Sequence, residues 1–149
     1  MINVRETKRL KKELDETPQD YQAIIDNTSL AICITNAEGN YMAVNENYCL
    51  LYGFHKRELI GKSFLMVVPE QKHVQLKNTH SSFLKNKNEI LRGWDVMNKK
   101  GEIFKIWADA GYSNKINNAP HKITFVQPVD EELSNKLKEN FENRNSLQI

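Results

Sequence analysis

The segment Leu30–Thr35 (LAICIT) constrains the fold most. It is a short, continuous apolar run containing β-branched residues, bounded by polar turn formers, and it reads as a buried strand. Asn36-Ala37-Glu38-Gly39-Asn40 follows, a turn with a glycine available for positive φ. Tyr41–Val44 returns, so residues 30–44 are expected to form a hairpin. A hairpin alone is only marginally stable in water, so the rest of the chain must supply more strands or helices to cover it.

The remaining pattern supplies both. Residues 3–15 read as a helix with Val4, Leu10 and Leu14 on one narrow apolar stripe, which needs a partner surface. Thr17-Pro18-Gln19-Asp20 is a helix start, and the short helix Pro18–Asp26 ends at Asn27-Thr28. After the hairpin, Asn45 opens a short helix closed by Gly53. Lys56–Ile60 makes another, and Phe64–Val68 is a short apolar piece ended by Pro69. Glu70–Lys85 is a longer helix with His73, Leu76, His80, Phe83 and Leu84 on one face. Glu89–Met97, Ile103–Tyr112 and His121–Gln127 read as strands, the first two joined by the turn Asn98–Gly101. Along Ile103–Tyr112 the faces alternate, with Phe104, Ile106, Ala108 and Ala110 on one and Ile103, Lys105, Trp107 and Asp109 on the other. Glu131–Phe141 is a final helix carrying Leu133, Leu137 and Phe141 at one-turn intervals.

This order predicts an α+β fold with a five-stranded antiparallel sheet and short helices over one face. The division is a leader helix (1–16), a domain (17–130) and a terminal linker helix (131–149). The helical run between the second and third strands is the natural wall of a cavity.

Composition narrows the function. The 149 residues carry a net charge of +2, with positives interleaved among acids, unlike a phosphate-tracking stripe. No nucleic-acid partner is expected. No apolar run approaches the ~18 residues of a membrane span, and the charged start does not read as a signal peptide, so a cytoplasmic, membrane-free location is expected. Cys33 and Cys49 are too few for a disulfide framework and read as buried thiols. There is no glycine-rich phosphate loop, no nucleophile elbow and no zinc spacing, so catalysis is not expected.

Residues 34–71 (ITNAEGNYMAVNENYCLLYGFHKRELIGKSFLMVVPEQ) resemble the signature of the PAS sensory family, with Asn36, Gly39, Asn45, Gly53, Glu58, Leu59, Gly61 and Pro69 carrying the match. The second half matches more loosely, through Lys99-Lys100-Gly101-Glu102. The resemblance spans about residues 20–130. It implies a sensor that holds a small ligand or cofactor in an internal pocket and relays its state through terminal helices to a homodimer partner, an effector or a kinase domain. One departure concerns the exit. Where many members carry Asp-Ile-Thr before the output helix, this chain has Pro128-Val129-Asp130.

His80, followed by Phe83 and Leu84, also resembles the haem-binding PAS subgroup, which implies His80 as an iron ligand in an oxygen sensor. Arg92, nine residues before Gly101, stands where that subgroup places an arginine beside bound gas. Leu76, Phe83, Ile90 and Trp94 would complete the pocket. The spacing from Pro69 is about one helical turn too long for that subgroup, and His73 is a competing ligand. A structural histidine in a cofactor-free interaction module is the alternative. Trp94 and Trp107 could stack on a flavin. The cysteine of the photoactive flavin subgroup is absent from Gly61-Lys62-Ser63-Phe64-Leu65, which argues against a photoadduct. Val4, Leu10, Leu14, Leu133, Leu137 and Phe141 are the candidate dimer or output contacts, with packing on the chain's own sheet as the other reading.

Overall fold

The computed structural model describes residues 2–87 and 92–147. Helix α1 (Val4–Glu16) is capped by the Asn3 side chain, which accepts from the Glu6 amide. A 3₁₀ turn at Pro18–Asp20 leads into α2 (Tyr21–Asp26). Strands β1 (Ala31–Asn36) and β2 (Tyr41–Val44) form the expected hairpin. Then come α3 (Glu46–Tyr52), α4 (Lys56–Leu59), 3₁₀ turns at Phe64–Val67 and Glu70–Lys72, and α5 (His73–Asn86). Strands β3 (Arg92–Met97), β4 (Ile103–Ser113) and β5 (His121–Pro128) precede α6 (Glu131–Leu147), which runs beyond Phe141.

The sheet order is β2-β1-β5-β4-β3, and every pairing is antiparallel. The last strand therefore lies at the centre, between β1 and β4. One face carries Ala31, Cys33, Ile106, Ala108 and Val126 and packs against α3, α4, the 3₁₀ turns and α5. The other face carries Ile32, Ile34, Ile123 and Phe125 and is covered by α1 and the end of α2.

Leu10 and Leu14 are accordingly 0% and 2% exposed within this one chain. They seal the back of the sheet rather than presenting a free dimer stripe, and half-buried Val4 packs on the same cluster. A further tie fixes α1. Lys11 Nζ donates to both carboxylate oxygens of buried Asp109 on β4, each at 3.1 Å. The stem of Lys11 fills the space over Gly111, where any Cβ would come within 3.3 Å of it. Trp107 lies on this face too, folded over Gly93 of β3, its cross-strand partner. It is thus remote from any cofactor on the helical side.

The signature asparagines do structural work. Asn45 is 2% exposed and uses its whole side chain. Its Oδ1 accepts from the amides of Ile32 and Tyr48, both at 3.0 Å. Its Nδ2 donates to the carbonyls of Ile25 and Leu30 at 2.7 and 2.9 Å. One residue thus caps α3 and ties it to β1 and the end of α2. Asn36 Oδ1 accepts from the Glu38 and Asn40 amides to close the hairpin turn. Gly39 there has φ +81°, and a Cβ would also sit 3.1 Å from the Phe64 ring.

Candidate functional site: a cavity with a buried lysine

Between the helical layer and the sheet lies an internal cavity of about 50 Å³. Tyr48 and Tyr52 of α3 line it, with Phe64, Val67 and Val68 of the 3₁₀ segment, Leu76 and His80 of α5, and Trp94 and Val96 of β3. The floor is Ile106 of β4, Cys33 and Thr35 of β1, and Lys122, Thr124 and Val126 of β5. Side chains two apart on the central strands share this face, which is why the polar groups gather there.

Lys122 is the unexpected member. It is 7% exposed, and its Nζ lies 5.2 Å from the Phe83 ring centroid. Among the described residues no carboxylate pairs with it, and its Nζ is not one of the buried polar atoms left without a partner, so the ammonium reaches solvent past the Phe83 ring. Burial pulls its ammonium from the ordinary 10.5 down to about 8, because a charge out of water is disfavoured. His80 is 4% exposed. Its pKa is lowered, first by burial and then by the Lys122 charge. Burial also pushes the Cys33 thiol up to about 11 and raises Tyr48 and Tyr52 well above their usual range. The Tyr48 hydroxyl is 2.6 Å from that of Tyr41.

His80 reaches the cavity as expected, but its chemistry is committed. Its Nε2–H donates to the Asn36 carbonyl at 3.0 Å, pinning α5 to the hairpin turn, and its ring packs on Phe64 at 5.4 Å between centroids. His73 is likewise engaged, its Nε2 2.7 Å from the Val68 carbonyl. Leu76, Phe83 and Trp94 are buried or half-buried on the helical side, whereas Ile90 lies outside the described residues. Arg92 is exposed, its guanidinium stacked 4.9 Å from the Trp94 ring, and it lines a surface groove with Thr79 and Phe83 instead of the cavity.

These residues do not fit haem. A porphyrin needs a pocket of several hundred Å³, roughly 300–1,000 Å³ for cofactor sites generally. Here the expected ligand nitrogen is occupied, the gas-side arginine faces solvent, and a second cation stands beside the histidine. A flavin meets the same volume limit. Among the described residues, no three His, Cys, Asp or Glu side chains converge as a metal site. A wider, more open groove of about 990 Å³ lies outside, bordered by Gln22, Asp26, Glu46, Cys49, Leu50 and Arg144, and it is a surface feature.

The family model for the PAS fold matches residues 19–126. The chain belongs to the PAS family. Solved PAS domains superimpose on it across most of its length. The PAS domain of a protein from Colwellia psychrerythraea shares 19% identity with a TM-score of 0.64, over 78% of this chain and 99% of that one. A domain of the sensory box sensor histidine kinase/response regulator from Geobacter sulfurreducens shares 14% identity, TM-score 0.62, over 74% and 92%. The LOV protein of Rhodobacter sphaeroides shares 12% identity, TM-score 0.66, over 78% and 69%. Among curated proteins, no sequence matches the chain significantly.

The C-terminal helix of this PAS domain is well anchored. Asp130 caps α6 through Oδ1, which accepts from the Leu133 amide at 2.9 Å. Helix α6 then packs back on the domain. Leu137 is buried and Leu133 half-buried against the main core, while half-buried Phe141 carries the Arg144 guanidinium 5.8 Å from its ring centroid. Asn47 of α3, fully buried, holds the helix from below. Its Nδ2 donates to the Leu137 carbonyl at 3.3 Å, and its Oδ1 accepts from Arg144 at 3.2 Å. Arg144 also pairs with Glu46 at 3.0 Å. No helix among the described residues is long and apolar enough to cross a membrane.

Sequence reasoning placed His80, Leu76 and Trp94 at the cavity, and of the α6 stripe Leu133 and Leu137 pack on the chain's own core. It missed Lys122, Cys33, Thr35, Tyr48 and Thr124 as cavity residues. The available signal was phase. On His121–Gln127, Lys122 alternates with Thr124 and Val126, so a lysine shares a face with core residues.

Proposed function

We propose that this PAS domain is a non-catalytic sensory module in which occupancy of the internal cavity is relayed through α6 to a dimer partner or to an effector such as a kinase domain. The supporting observation is that cavity and exit helix share their supports. Tyr48 lines the cavity, and its neighbour Asn47 binds α6. Val126 of β5 lines the cavity, and β5 runs through Pro128 into the Asp130 cap. A ligand that changes the packing of α3 or β5 therefore changes the hold on α6, to the extent that it favours one arrangement over the other.

The test is a change in cavity filling without any added ligand. Thr124→Leu places extra carbon in the cavity. Site-resolved amide hydrogen exchange is expected to show altered protection across residues 131–147 as well as in β5. Unchanged exchange in α6, with changes confined to the cavity walls, would refute the relay. The small cavity also supports a second reading, an interaction module that binds no ligand, and in that case the partner contact rather than the cavity sets α6.

A further inference from the structure

We infer that a second cleft, between the start of α1 and the first half of α6, binds a small, oxygen-rich monocarboxylate of the 2-oxo acid class. This goes beyond the cavity reading above and stands apart from it. The cleft holds about 200 Å³. Asn3 and Glu6 at the start of α1, Ser29 before β1, Gln127 of β5, and Ser134 and Lys138 of α6 supply its polar lining. Ser134 is 8% exposed. Among the described residues its hydroxyl has no hydrogen-bond partner and is not a fully enclosed atom, so it opens into the cleft it lines. Buried polar side chains are ordinarily bonded, and a hydroxyl left over in this way marks a place for a partner.

The groups left over can all donate. Asn3 spends its Oδ1 on the Glu6 amide, and Gln127 spends its Oε1 on the Asn3 amide, which leaves the side-chain NH₂ of each. Ser29 and Ser134 add hydroxyls, and Lys138 adds an ammonium that has no ion-pair partner among the described residues. Glu6, the one carboxylate in the lining, is already taken. Its two oxygens accept from Arg9 at 2.7 and 3.0 Å, and Oε2 also accepts from the Thr28 hydroxyl at 2.8 Å. The free groups therefore suit a ligand that only accepts, and a single ammonium matches a single negative charge. One carboxylate leaves some of these donors idle, whereas a third oxygen beside it, as in a 2-oxo acid, engages them. Leu30, Val126, Pro128 and Leu137 form the apolar part of the wall, which suits a methyl or short alkyl end. At about 30 Å³ per water the volume equals about seven waters, room for a molecule of about six heavy atoms. A ligand there touches both terminal helices at once and ties α1 to α6.

The experiment uses the whole chain with sodium pyruvate as the probe, and neutral pyruvamide, sodium phosphate and sodium chloride as controls at matched ionic strength. Titration calorimetry gives the affinity, and backbone amide chemical shifts give the place. Saturable pyruvate binding is expected, with shifts gathered at residues 3–6 and 134–138 and each control at least about 10-fold weaker. Lys138→Met, at an exposed position, is expected to weaken pyruvate by about 10-fold or more, since a charge-assisted bond is lost, and Lys138→Arg to retain part of the binding. Ser134→Ala is expected to weaken it by about 5-fold, the loss of one neutral hydrogen bond. Circular dichroism establishes that each variant is folded. Shifts around Lys122 and Thr124 instead would place pyruvate in the internal cavity and overturn the inference. Pyruvamide or phosphate bound as tightly as pyruvate would overturn recognition of a monocarboxylate, and an equal response to chloride would reveal a general salt effect and overturn it. Absence of saturable pyruvate binding would overturn it too. None of these outcomes bears on the relay from the internal cavity, which Thr124→Leu tests without any ligand.

Discussion

Replacing Lys122 by methionine should stabilise the ligand-free protein, and the size of the gain can be worked from its surroundings. The ammonium is depressed from 10.5 to about 8 by burial. At 1.36 kcal/mol per pH unit, that is about 3 kcal/mol favouring the neutral form in the folded state. The sign follows from linkage. The folded pKa lies below the unfolded one, so between about pH 8 and 10.5 the unfolded chain binds more protons and stability rises with pH. Below about pH 8 both states are protonated and the full cost is present. Methionine is one atom shorter, keeps an unbranched flexible side chain and has no charge to desolvate. At pH 7 Lys122→Met should therefore gain up to about 3 kcal/mol, or roughly 5–10 °C in Tm for a chain of this size. The groups facing the ammonium are Cys33 on β1, Tyr48 and Tyr52 on α3, His80 on α5 and Tyr112, its cross-strand neighbour on β4. Of these, His80 and Cys33 are coupled to the Lys122 charge, so the difference between wild type and variant reads Lys122 together with the shift its charge imposes on them. Urea denaturation across pH 6–10 reads it. The gap should be widest below about pH 8 and close as pH approaches the unfolded value of 10.5. A variant less stable than wild type at pH 7, or a gap independent of pH, would refute the description of Lys122 as a side chain whose charge is disfavoured by burial.

Other outcomes follow from the same geometry. Asn45→Ala strands two amides and two carbonyls and should cost about 3 kcal/mol or more in chemical denaturation, against about 1 for an ordinary cap. Leu10→Ala should cost about 2–5 kcal/mol yet leave the sedimentation coefficient of the folded protein unchanged, because Leu10 is buried in its own chain. Asp130→Ala should destabilise α6 by about 1 kcal/mol, seen as faster amide exchange in its first turn. Hemin titration should give no Soret band beyond that of a control protein, in wild type and His80→Ala alike. A sharp band lost in His80→Ala would contradict the assignment of His80 to the Asn36 carbonyl.

The elements were largely legible because their signals are local. The apolar run of β1, the Asn36–Gly39 turn, the Asn45 cap and the Pro69 stop each act within a few residues. The partition of β4 into two faces was legible for the same reason. What the sequence did not show is which faces meet. The central place of β5 depends on long-range pairing, and with it comes the burial of Lys122. The Leu10 and Leu14 stripe correctly signalled a partner surface, but periodicity cannot say whether that surface is another copy or the chain's own sheet. Asp109 and Lys11 stand 98 positions apart, beyond the reach of any local pattern. His80 was correctly placed facing inward, yet only the hairpin turn above it shows that its ring nitrogen is taken. Arg92 shares the inward phase of Trp94, but its position at the start of β3 leaves its head in solvent.

The most direct test of the proposed relay is site-resolved amide exchange on the whole protein, wild type against Thr124→Leu. The added carbon in the cavity should change protection in β5 around Lys122–Val126 and, together with it, in α6 from Glu131 onward. Altered exchange in the cavity walls while α6 exchanges as before would contradict the claim that this cavity governs the C-terminal helix.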